Sequence, residues 1–364
     1  MLAQYFGIIL IASGMFLIIP ALYGLLSREP MEVSIALDFI VMAVFTVFFG
    51  LLLYHIFKSD ERLTLHDGLY IVVLTWITVP IISAIPLTWS LGMSILDALF
   101  EAVSGFTTTG LTMITDVESV PRIVLLWRSL MQWIGGVGIV VVTIVLLARP
   151  GSPSAVLYVA EGREERIEPS FVRTAKTVFK AYAIVTGIVA FTMFLSGMPL
   201  FDAINHAMTA LATGGFSVRN GSIGAYRSVV IEAVTVWAMI IGAQNLALHA
   251  KVLRGRFREV LSNIEFKAFL ALLTMFSFLG SLILYAYGIP LDEAIRYGVY
   301  QVTSGISGTG FQTMNIKSSP DAFKILVSFT MLIGGSIFST TGGVKVFRVV
   351  TFLKSLWREM TASF

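Results

Sequence analysis

Long apolar runs dominate the chain. Gln4 to Leu26, Ile35 to Phe57 and Leu69 to Leu91 each hold at most one charged residue. About 20 helical residues at about 1.5 Å rise cross the roughly 30 Å hydrocarbon core of a bilayer, so each run predicts a membrane-spanning helix. The same reading predicts spans at Ile123 to Leu147, Ala181 to Ser196, Val229 to Leu248, Ala268 to Tyr287 and Ile325 to Val344, eight in all. The first run begins almost at Met1 without the basic start and small-residue cleavage site of a removable signal, and is expected to be a retained helix.

Composition agrees. Hydrophobic residues make up 56% of the 364 and charged residues 13%, about half the charge of a soluble domain. The bilayer is therefore the solvent. There is no cysteine, which excludes disulfides and thiolate metal sites, and His55, His66, His206 and His249 show no ligand spacing. No HExxH, paired intramembrane aspartates or Ser-His arrangement occurs in the predicted spans, so the chain is not expected to be an enzyme. With a cytoplasmic N-terminus, the inner segments hold 17 of the 25 Lys and Arg and the outer segments 7. That asymmetry follows the positive-inside rule and accounts for the net charge of +3 without nucleic acid. The expected placement is multi-pass in the plasma (inner) membrane.

The outer segments repeat. Phe100 to Gly110 reads FEAVSGFTTTG, Asn205 to Gly215 reads NHAMTALATGG, and Tyr300 to Gly310 reads YQVTSGISGTG. In the following span Gly135, Gly242 and Gly334, each preceded by isoleucine, fall 25, 27 and 24 residues after Gly110, Gly215 and Gly310. The unit is a helix, a re-entrant half-helix with an extended loop, then a helix, at a period near 100 residues. The expected fold is an all-α membrane protein with pseudo-symmetric helix, pore-loop, helix repeats around an ion pathway, preceded by two extra transmembrane helices. Its divisions are 1–57 for those two helices, then 58–150, 151–255 and 256–364 for the three repeats.

Irregular backbone at membrane depth is tolerated only where protein buries it or it lines a wet cavity. A filter for potassium needs inward carbonyl oxygens, and glycine adopts the required backbone at little steric cost. Thr107-Thr108-Thr109-Gly110, Ala212-Thr213-Gly214-Gly215 and Ser307-Gly308-Thr309-Gly310 suit that chemistry, with no acid or base among them. A single such string is more often a small-residue helix contact; three in register favour a filter. The half-helices would aim their negative C-terminal ends at the ion, with Asp97 and Asp202 favourable near the N-terminal ends. Both lie 13 residues before the glycine, whereas Asp292 lies 18 before Gly310.

On SGFTTTGLT at 104–112, LWRSLMQWIGGVGI at 126–139 and GGSIFSTTGGVKVFR at 334–348, the chain resembles the Trk/Ktr/HKT superfamily of potassium transporters, closest to the Trk pore subunit. The resemblance implies a subunit for passive potassium uptake with four repeats around one axis, potassium as substrate and no covalently bound cofactor. It also implies a homodimer and a cytosolic nucleotide-binding regulatory ring as partners. In plant relatives a serine at the position of Gly110 is associated with sodium, so the glycine favours potassium. The stretch Gly334, Gly335, Ser336, Ser339, Thr340, Thr341, Gly342, Gly343 and on to Lys345 looks like the family's intramembrane gating loop. Its glycine and hydroxyl content makes a poor helix interior, although a glycine-rich helix contact is the plainer reading. The chain ends at Phe364, so a fourth repeat is expected from another or longer polypeptide. The alternative function is a non-conducting assembly partner or an incomplete fragment of such a transporter.

Other charges have two readings each. Arg128, one turn from Gln132, is expected to tie to a half-helix carboxylate such as Glu101 rather than coordinate ions. Asp97, Glu101, Asp116 and Glu118, in an outer segment without Lys or Arg, form an acidic mouth or merely reflect depletion of basic residues. Lys345 and Arg348 mark the cytoplasmic boundary or repel cations. Glu161 to Pro169, EGREERIEP, reads as a solvated cytoplasmic turn.

Overall fold

The two N-terminal helices, α1 (Leu2–Ser27) and α2 (Pro30–Ile56), meet through small residues. A Cβ on Gly7 would lie 2.6 Å from the Gly50 carbonyl oxygen, and one on Gly50 would lie 2.7 Å from that of Gly7. Such close backbone approach is how helices gain packing energy where lipid is as apolar as the side chains. In the computed structural model, residues 2–27, 29–59, 65–147 and 171–362 are described. The stretch Glu161 to Pro169 lies outside them.

The chain divides into two compact units, Met1–Met131 and Gln132–Phe364. The first holds α1, α2, α3 (Leu65–Leu91), α4 (Ile95–Phe106) and the start of α5 (Arg122–Leu147). Buried Glu32 on α2 accepts hydrogen bonds from the backbone N–H groups of Arg122 and Ile123 at 2.7 and 3.1 Å, satisfying donors that the first turn of α5 leaves open. At 12 residues, α4 is about 18 Å long, too short to cross a bilayer.

The second unit holds the rest of α5, then α6 (Phe171–Leu195), α7 (Leu200–Leu211), α8 (Val229–Gly242) and α9 (Leu246–Leu253). There follow α10 (Phe257–Ser262), α11 (Ile264–Ala286), α12 (Leu291–Ser307) and α13 (Asp321–Leu332). A two-residue parallel pair, β1 (Ile333–Gly334) and β2 (Val344–Lys345), brackets a loop before α14 (Val346–Ala362). One core, around Tyr182, Met193, Leu211 and Met239, holds the second repeat, and another, around Phe269, Phe276 and Ile306, holds the third.

Among the described residues, α1, α2, α3, α6 and α11 are long and apolar enough to cross a membrane. Leu26, Phe48 and Phe278 on these helices are exposed, as side chains facing lipid would be. The protein is a multi-pass membrane protein of helices. Two of the eight expected spans need correction. Val229 to Leu248 is not one helix: α8 ends at Gly242 and the chain turns by 108° into α9, where the Asn245 side chain accepts from Ala247 N at 2.8 Å and starts the new helix. Ile325 to Val344 stops being helical at Leu332, where Ile333 turns extended.

Candidate functional site

Each half-helix ends in the same turn. Thr109 N donates to Ser104 O, Gly214 N to Thr209 O, and Thr309 N to Ser304 O, at 3.0, 2.9 and 3.1 Å. In every case the donor lies five residues after the acceptor, the bond that closes a helix through one left-handed residue. That residue is Thr108, Thr213 or Gly308, with φ of 54°, 52° and 69°. Two positions on, Gly110, Gly215 and Gly310 are again left-handed, at 80°, 73° and 86°. Residues of positive φ thus alternate with residues of negative φ along each segment, unlike the uniformly extended backbone of a strand. Threonine is β-branched and rarely left-handed, at a cost of about 1–2 kcal/mol. Two of the three segments carry this strain, which surrounding contacts must offset.

The half-helices differ at their start. Ser94 caps α4, its Oγ accepting from Asp97 N at 3.1 Å and donating to the Asp97 carboxylate at 2.8 Å. On α7, Asp202 instead accepts from Arg219 Nε at 3.0 Å and from Tyr226 OH at 2.6 Å, joining the helix start to the outer loop. The longer spacing in the third repeat comes from the helix itself: α12 has 17 residues where α4 and α7 have 12.

Hydroxyls brace the segments from within. Thr107 Oγ1 lies 2.8 Å from Thr109 Oγ1, and Ser307 Oγ lies 2.8 Å from Thr309 Oγ1. The second segment has Ala212 and Gly214 at those places, and the fully buried amide of Gln132 takes over. Its Nε2 donates to Gly214 O at 2.8 Å and its Oε1 accepts from Phe216 N at 3.1 Å. Segments two and three also touch, since a Cβ on Gly215 would run into the Thr309 carbonyl. A Cβ on Gly310, by contrast, would meet nothing within 4 Å.

Arg128 and Glu101 are paired within the first unit, Nε to Oε1 at 2.7 Å, both essentially without solvent. This is the tie expected for Arg128. It also removes Glu101 from any acidic mouth, leaving exposed Asp116 and Glu118 and half-buried Asp97 as the carboxylates there.

The segment from Gly334 to Gly343 is non-helical throughout and lies in the break between α8 and α9. Ser336 N donates to Ala243 O at 2.9 Å, Leu246 N donates to Phe338 O at 3.1 Å, and Ser336 Oγ donates to Gln244 Oε1 at 3.1 Å. Thr340 Oγ1 sits 3.0 Å from Leu211 O, 3.2 Å from Gly242 O and 3.0 Å from Thr213 Oγ1. One hydroxyl thus meets carbonyls that the ends of α7 and α8 leave open and touches the second segment. Within the loop Thr341 Oγ1 accepts from Gly335 N at 2.8 Å and lies 2.8 Å from Ser339 Oγ. Gly342 and Gly343 are exposed, the latter with φ of 70°. Lys345 folds back, its ammonium donating to the Thr341 carbonyl and lying 3.3 Å from Ser339 Oγ. It is a brace of the loop, which neither reading of that lysine anticipated.

Sequence reasoning placed Gln132 beside Arg128 and missed its function. The only signal was an amide on an apolar helix; its partners lie more than 80 residues away. Among the described residues no group of His, Cys, Asp and Glu is arranged to hold a metal.

A family model described as a cation transport protein, TrkH, matches residues 36–364. An uncharacterized cation transporter of Methanocaldococcus jannaschii is 35% identical over 95% of this chain and 70% of its own length. The Trk system potassium uptake protein TrkH of Salmonella typhimurium is 31% identical, covering 97% of this chain and 74% of its own. The crystal structure of the potassium transporter TrkH from Vibrio parahaemolyticus superposes with a TM-score of 0.88 at 28% identity, over 99% of this chain and 75% of that one.

Proposed function

We propose, because the chain belongs to the TrkH family of cation transport proteins, that its three looped segments form the selectivity filter of the potassium path. The protein is an ion-translocating subunit for potassium uptake, and it is not an enzyme. Thr107 to Gly110, Ala212 to Gly215 and Ser307 to Gly310 present backbone carbonyls to a potassium ion in place of its hydration shell. The observation that carries this reading is the left-handed backbone at the second and fourth residue of all three segments. Chains selected only for helix packing have no reason to keep two left-handed residues in the same register three times, twice on threonine. Potassium is the substrate.

The loop from Gly334 to Lys345 gates the path, because its Thr340 hydroxyl touches the second segment. The repeats divide at 58–150, 151–255 and 256–364, after the two helices of 1–57. The N-terminus is cytoplasmic, in the plasma (inner) membrane, and the subunit works as a homodimer under a cytosolic nucleotide-binding ring.

The test is Gly110→Ser, expressed in a host that lacks potassium uptake. Its effect is on a backbone whose φ of 80° disfavours any residue but glycine. Uptake should lose its preference for potassium over sodium. An unchanged ratio at normal expression would remove Gly110 from the filter.

A further inference from the structure

We propose that Glu101, His206 and Gln301 are equivalent positioning residues, which set selectivity by anchoring the chain where it leaves each filter segment. The inference rests on the reading of those segments as a filter. Each residue lies nine positions before the segment's last glycine, and each is buried, at 0%, 0% and 1% exposure. All three reach past the filter to the backbone or side chain that follows it.

The chemistry differs while the target does not. The Glu101 carboxylate accepts from Met113 N at 2.9 Å and from Thr112 Oγ1 at 3.0 Å, the residues three and two beyond Gly110. On the other side it holds Arg128, so its buried charge is compensated. His206 Nδ1 faces the Asp202 carbonyl at 2.8 Å, and Nε2 faces Ser217 Oγ at 2.9 Å. A carbonyl only accepts, so Nδ1 carries the proton and Nε2 takes the Ser217 hydroxyl proton. Ser217, two beyond Gly215, in turn accepts from Arg219 N at 3.0 Å. Gln301, with its amide oxygen toward the chain, accepts from Thr313 N at 2.9 Å and Met314 N at 3.3 Å, three and four beyond Gly310. The opposite orientation would set an NH2 against two N–H donors.

The anchor matters because a short turn with two left-handed residues has few bonds of its own. The half-helix holds its entry through the bond five residues back; without a second hold at the exit, the carbonyls between are free to tilt. A filter distinguishes ions only while its oxygens keep their positions, and such positions are kept by groups behind the ligand shell. A carboxylate, an imidazole and a carboxamide each supply the acceptor that the exit strand needs.

The experiment is the potassium-to-sodium permeability ratio of the full-length protein in liposomes, for parent and variants. His206→Leu and Gln301→Leu remove the acceptor and should lower the ratio by roughly three- to tenfold, the worth of a buried hydrogen bond. His206→Gln installs the residue of the third repeat, and Gln301→His that of the second; both should keep the ratio within about twofold. Ser217→Ala should lower it as His206→Leu does, and the two together should add little. A parent ratio near one would overturn the filter reading itself. A selective parent whose leucine variants keep its ratio, or lose potassium and sodium flux in parallel, would overturn the positioning inference alone.

Discussion

Gln132→Leu tests how the second segment is held. The replacement keeps nearly the same volume, so little cavity term enters, but it deletes both bonds of the amide. Gly214 O loses a 2.8 Å donor and Phe216 N loses a 3.1 Å acceptor, and both residues are buried. An unsatisfied buried group costs about 1–3 kcal/mol, so the variant should lose about 2–6 kcal/mol of stability. Gln132→Glu is the sharper arm. Its carboxylate still accepts from Phe216 N but sets an oxygen against Gly214 O, and it buries a charge, so it should be worse than leucine. Thermal unfolding of purified protein reads the stability, and the potassium-to-sodium permeability ratio reads the filter. A leucine variant that melts with the parent and keeps its ratio would refute the reasoning, because the amide would then be filling space only.

Gly215→Ala should yield little folded protein by monodispersity in detergent, since φ of 73° costs an alanine about 1 kcal/mol and its Cβ would enter the Thr309 carbonyl; a monodisperse, selective variant would separate the two segments. Arg128→Leu leaves the Glu101 carboxylate buried without its cation and should cost about 3–5 kcal/mol. In thermal unfolding the double replacement Glu101→Leu with Arg128→Leu should cost less than the two single ones summed, and additive costs would show that the pair is not coupled.

What the sequence determined by itself was whatever depends on neighbours along the chain. Membrane spans are legible because lipid tests each helix face alone, and the three segments are legible because a turn after a half-helix imposes its own local composition, small residues closing on glycine. The Arg128 partner was legible too, since a buried guanidinium must find a carboxylate and few are within reach. The tertiary structure decided the rest. Thr108 and Thr213 are left-handed against the preference of a β-branched residue, which only contacts outside the segment can enforce, and Thr213 finds one in Thr340, 127 positions away. The helix at Val229 to Leu248 looked continuous because its apolar run is continuous; it breaks at Gly242 because the loop beyond Gly334 supplies bonds to the carbonyls of Gly242 and Ala243. Glu101, His206 and Gln301 share a register, nine positions before each last glycine, but no side-chain class, so their common role was not legible in the sequence. Their equivalence lies in where the acceptor atom stands, and position in space is the property that one-dimensional order does not carry.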